Sequence, residues 1–209
     1  MQTHLSEFLS LALIHQLAVA APGPDFAVVF RQCVRHGRKT AVFTAIGVGL
    51  GILLHMSYTL LGMGLLISRY ATALTAMKII GAAWLLYLGL QSLRAVSAPI
   101  SFDNPACDPD KTESWRQAMW TGFLTNGLNP KVTLFFLAIF TAVVSRDTPL
   151  WIQAGYGVYL SLATMAWFVL VAWVVGHPAV RNALLRSGVW LERLTGVILI
   201  GFAVRLAAF

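Results

Sequence analysis

Asp25 follows Pro22-Gly23-Pro24 within one apolar stretch, and Lys131 follows Asn129-Pro130 within another. Pro22 and Pro24 lack an N–H and clash with the preceding turn, so helix carbonyls ahead of them lose their donors. Gly23 lets the chain bend there or lets another helix come close. Asp25 then falls in the first turn of the helix that resumes, where a carboxylate suits the positive end of the dipole. Asn129 reads as an N-cap and Pro130 as the first helical residue, a common helix start. Lys131 opposes the dipole in that same first turn, so it calls for an anion: Asp25, or the carboxylate of a ligand. A charge at mid-membrane depth costs about 2.5–3.5 kcal/mol on insertion scales, which favours pairing or a wet cavity over lipid. The plainer alternative makes Pro-Gly-Pro a kink and leaves both charges at the cytoplasmic interface, since Asp25 and Arg31 are only about 9 Å apart along a helix.

The other polar residues carry weaker signals. His15 and Gln16 lie one to two turns before the first break, Asn126 one turn before the second, His55 mid-span, and Lys78 a little inside a third apolar stretch. A lone membrane histidine serves as readily for a packing hydrogen bond as for carrying a proton. Gly47, Gly51 and Gly62 read as close-packing positions. The histidines and acids are scattered, with no zinc or serine-hydrolase spacing, so neither a metal centre, a cofactor nor catalytic residues are expected. Cys33 and Cys107 match no zinc or redox pattern.

The elements that must position these residues are membrane helices. The chain has 209 residues, of which 58% are hydrophobic and 11% charged; a soluble domain carries about 25% charged residues. Apolar stretches run over 5–30, 40–67, 71–93, 119–144, 150–175 and 191–209, with one long polar segment at 94–115. A crossing takes roughly 20 helical residues. The expectation is therefore an all-α polytopic membrane protein with six transmembrane helices, the first and fourth broken by proline. The N-terminal stretch lacks a positive n-region and carries Glu7, so it reads as a membrane segment rather than a cleaved signal.

Lys and Arg number 15 against 8 Asp and Glu, an excess that reads as orientation in a lipid bilayer rather than nucleic-acid binding. Arg31, Arg35, Arg38, Lys39, Arg94, Lys111, Arg116, Arg181, Arg186 and Arg193 cluster on the connections after stretches one, three and five. Arg69, Arg146 and Arg205 fall on the other side. Both termini are thus expected outside the cytoplasm, periplasmic in a Gram-negative cell, with 94–115 inside. The chain reads as one transporter domain over 1–209, with repeat one at about 1–95 and repeat two at about 116–209. Three crossings per half force the second copy to enter upside down, as in many secondary transporters.

The chain resembles the LysE/RhtB family of bacterial amino-acid exporters over essentially its full length. The residues that carry the resemblance are Ala21 to Asp25, the Arg35-His36-Gly37-Arg38-Lys39 run, Lys78 to Gly89, Gly122-Phe123, Asn126 to Lys131, Phe135-Phe136, and Leu194-Thr195-Gly196 with Gly201. The resemblance implies a six-helix bacterial inner-membrane exporter of amino acids or their derivatives, driven by proton antiport, with its proline motifs meeting near the centre of two inverted repeats. On that footing Lys131 and the opened helix starts would hold the substrate carboxylate, while Asp25 would face the ammonium or exchange a proton. Monomer and homodimer both stay open. A channel or a non-transporting subunit of a membrane complex is the competing reading, with a membrane-embedded enzyme behind it.

Overall fold

Helix ends in this chain are set by proline, glycine and capping side chains. The computed structural model describes residues 2–21, 23–69, 113–145 and 147–175, together with scattered positions within 79–94 and 190–204. Pro22, Lys78 and Cys107 lie outside the described residues, as do much of the third and sixth apolar stretches and nearly all of the 94–115 segment. Every regular element among the described residues is a helix.

Helix α1 spans Gln2–Ala20 and ends ahead of the Pro-Gly-Pro motif. Helix α2 spans Pro24–Arg69 and opens with Asp25 in its first turn. It is two legs joined at Gly37, whose φ of 84° and ψ of 172° belong to a region essentially reserved for glycine. The basic cluster is therefore not an extended connection. Arg31 and Arg35 ride exposed on the first leg, while Gln32 and Cys33 between them are buried. The two legs meet in a kink at this one residue.

Helix α3, Trp115–Gly127, starts from a capping box: Gln117 N–H donates to Ser114 Oγ at 3.3 Å, and Ser114 N–H to Gln117 Oε1 at 3.2 Å. Helix α4, Pro130–Val143, starts as the sequence suggests, with Asn129 as N-cap and Pro130 leading. Helix α5 spans Leu150–Val175. Pro24–Gly62 and Leu150–Val175 are each long and apolar enough to cross a membrane. The pair Trp115–Gly127 and Lys131–Val143, bent by 56°, makes a third crossing if taken as one broken span.

Helix α2 is the centre of the packing, lying mainly against α3 and α5. Lipid chains are as apolar as leucine, so association inside a bilayer depends on close van der Waals contact and small residues. Gly47 and Gly122 supply this at the α2–α3 crossing: a Cβ on Gly47 would come within 2.0 Å of the Met119 carbonyl oxygen, and one on Gly122 equally close to that of Thr44. Gly51 packs under Asn126, whereas a Cβ on Gly62 would meet nothing within 4 Å among the described residues, so Gly62 makes no close packing contact there. The buried core falls into two groups, one around Leu11, Ile52, Phe136 and Phe140, the other around Phe30, Val48 and Phe168. Leu5, Leu9 and Leu13 form an exposed stripe on α1, the face expected of a helix against lipid.

Candidate functional site

The two breaks meet. A cavity of about 60 Å³ is lined by Gly23, Pro24 and Asp25 from the first break and by Asn126, Asn129 and Lys131 from the second. At ~10–15 Å³ per water position it is a space for several waters or a small polar molecule.

Asp25 Oδ2 accepts a hydrogen bond from Asn126 Nδ2 at 2.9 Å. Its Oδ1 is buried without a partner among the described residues. Lys131 is the positive charge acting on Asp25, and its Nζ lies 3.9 Å from where a Cβ on Gly23 would stand. The cation on the second break thus reaches the first. Asn129 Oδ1 accepts from the Lys131 N–H at 3.0 Å, which fixes the first turn of α4. The N-termini of α2 and α4 both border the cavity, so two positive dipole ends and one lysine face a single carboxylate. That arrangement can hold a zwitterion, with its carboxylate toward Lys131 and its ammonium toward Asp25.

His55 supports the second break from behind. It is fully buried, and its ring lies parallel to Phe136 with centroids 6.1 Å apart. Its Nε2 is 2.9 Å from the Asn126 carbonyl oxygen. A carbonyl only accepts, so Nε2 carries the proton and Nδ1 is the acceptor. Tyr58 Oη lies against Nδ1, and Thr133 Oγ1 is 3.3 Å from it. Tyr58 in turn donates to Thr133 at 2.9 Å. His55 therefore ties α2 to the end of α3 and the start of α4. His15 lines the cavity from α1, bonded to Thr164 of α5. Gln16 is half-buried and is not among the cavity-lining residues.

Several contributors carry no local signature in the sequence. Thr164, Tyr58 and Thr133 look like ordinary hydroxyls in apolar helices. Glu7 could have been flagged as an acid within an apolar segment. It is 6% exposed and accepts from the Ser145 N–H at 3.0 Å and from Thr148 Oγ1 at 2.8 Å. Glu113 does the matching work at the opposite end, accepting from Gln32 Nε2 at 2.6 Å and Thr121 Oγ1 at 3.3 Å, with His36 Nδ1 3.8 Å away. Among the described residues no group of three His, Cys, Asp or Glu could hold a metal ion.

Residues 17–208 match the family described as LysE type translocator. The threonine efflux protein of Escherichia coli K12 is 30% identical over 95% of this chain and 96% of its own length. The threonine efflux protein of Salmonella typhi is 30% identical over the same shares. Membrane protein YrhP of Bacillus subtilis is 26% identical over 96% of this chain and 98% of its own. No solved structure matches the chain.

Proposed function

Since the chain belongs to the LysE type translocator family, we propose that it is a secondary transporter exporting amino acids across the bacterial inner membrane in exchange for protons. The observation that carries this reading is the cavity between the two breaks, where Asp25 and Lys131 present opposite charges. A zwitterionic amino acid carries the complementary pair. Lys131 and the N-terminus of α4 bind its carboxylate, and Asp25 binds its ammonium or, when the site is empty, a proton. Threonine is the first substrate to test, because relatives of 30% identity are named for its efflux.

The same reading takes the whole chain as one domain of six crossings, built as two inverted three-helix repeats, with both termini periplasmic. Its support is a constant register in the sequence. Glu7, Pro24, Asp25 and Phe30 correspond to Glu113, Pro130, Lys131 and Phe136, each 106 positions on, as do Gly49 with Gly155 and Gly51 with Gly157. Glu7, near the start of α1, is bonded just beyond the end of α4, and Glu113, just before α3, to the end of the first leg of α2. The two broken helices therefore run antiparallel, as inversion requires. Alternating access follows as exchange of the closed end around a fixed central site.

The test is counterflow in proteoliposomes with Asp25→Asn and Lys131→Met proteins that insert normally. Each is expected to lose at least about 90% of threonine exchange, the effect of leaving one charge of a zwitterion unpaired in a buried site. Wild-type rates in both variants would sink the proposal.

A further inference from the structure

The cavity has a second polar end. His15 is 1% exposed, and its ring stands edge-on to Phe136 at 5.8 Å between centroids. Its Nε2 is 3.1 Å from Thr164 Oγ1, while its Nδ1 is buried with no partner among the described residues. The imidazole is held on one nitrogen and unpaired on the other among the described residues, in a side chain that lines the cavity. Beside the Thr164 hydroxyl, the cavity lining that His15 shares includes the apolar Ala18, Val19, Ile52, Phe136 and Phe168.

This surrounding limits what the free nitrogen can meet. A charged side chain would sit among aliphatic and aromatic walls without a countercharge, since Asp25 and Lys131 are already taken by the two ends of a zwitterion. A purely apolar side chain would leave the nitrogen unsatisfied, and a buried polar group without a partner is costly. If Nε2–H donates to Thr164, Nδ1 is an acceptor; if Thr164 donates to Nε2, Nδ1–H is a donor. A hydroxyl both donates and accepts, so it answers either tautomer.

We propose that His15, its ring held by Thr164 and Phe136, is the specificity residue of the transporter and selects amino acids by a side-chain hydroxyl. This assignment rests on the amino-acid export reading and deepens it: it says how the site tells one amino acid from another. In this assignment His15 meets the substrate hydroxyl, and Thr164, which also lines the cavity, positions the His15 ring.

The experiment compares threonine with valine, which differs by a methyl group in place of the hydroxyl. Counterflow of each is measured in proteoliposomes of the full chain. The wild type is expected to prefer threonine by more than about tenfold, the discrimination open to a site that hydrogen-bonds a hydroxyl. In His15→Leu the ratio falls toward one, because threonine slows while valine is retained. His15→Gln, which keeps a donor and an acceptor, retains most of the preference. Thr164→Val changes little volume and lowers the ratio by a smaller factor, which keeps the test decisive if His15→Leu does not insert. A merely structural role would slow both substrates together and leave the ratio unchanged. An unchanged ratio in His15→Leu, or in Thr164→Val where the former does not insert, overturns the assignment while the export reading stands. A wild type that moves no amino acid overturns both.

Discussion

Single residues at the breaks do separable jobs. Asp25 and Lys131 present charge to the cavity, Asn126 holds Asp25 by a 2.9 Å bond, and Asn129 caps the helix that carries Lys131. His55 touches none of the cavity and instead donates to the Asn126 carbonyl. That role separates it from a proton carrier. His55→Phe keeps the ring against Phe136 but loses both hydrogen bonds, and is expected to lower stability by about 1–2 kcal/mol, read as a lower melting temperature in detergent. His55→Gln should recover part of that loss and keep proton-driven exchange, whereas a proton carrier would lose it. Asp25, Asn126, Asn129 and Lys131 could be picked out from sequence because charges and capping residues beside proline have local consequences. Gly51 under Asn126, and Thr133 against His55, could not: their partners lie 75 and 78 positions away along the chain.

At the scale of elements, two kinds of glycine govern the helices, and composition alone does not separate them. Gly37 turns the chain, since its φ of 84° is open to few other residues. Gly47 and Gly122 let α2 and α3 touch backbone to backbone, and a Cβ on either would come within 2.0 Å of a carbonyl oxygen. Among the described residues nothing lies within 4 Å of a Cβ on Gly62 or Gly155. Gly122→Ala must push the helices apart or bend them, with an expected loss of about 1–3 kcal/mol. Gly62→Ala and Gly155→Ala should change stability by less than about 0.5 kcal/mol, as surface substitutions do. Thermal unfolding in one detergent ranks all three. Equal losses at Gly62 and Gly122 would mean that the crossing is not where the structure has it. The proline breaks were legible because proline forbids a hydrogen bond wherever it stands. The Gly37 kink was not, because the flanking arginines suggested a polar connection, whereas Arg31 and Arg35 lie on the exposed face of the first leg, which runs up to Gly37.

At the scale of the molecule, the antiparallel ties of Glu7 and Glu113 leave one question that charge alone addresses: which end faces the cytoplasm. In the proposed topology the clustered arginines and lysines put the Glu113 end and the 94–115 segment on the inside. The two cysteines of the chain turn that assignment into a measurement without any added label site. Cys33 is 8% exposed, and its Sγ donates to the Ala172 carbonyl at 3.4 Å, so a polar maleimide should react with it slowly. Cys107 belongs to the polar segment. A membrane-impermeant maleimide is therefore expected to leave the protein unlabelled in intact cells and to label it once the membrane is permeabilised. Cys107→Ser should abolish that labelling, and Cys33→Ser should not. Labelling of Cys107 in intact cells would invert the proposed topology, and the end tied by Glu113 and Gln32 would then face the outside.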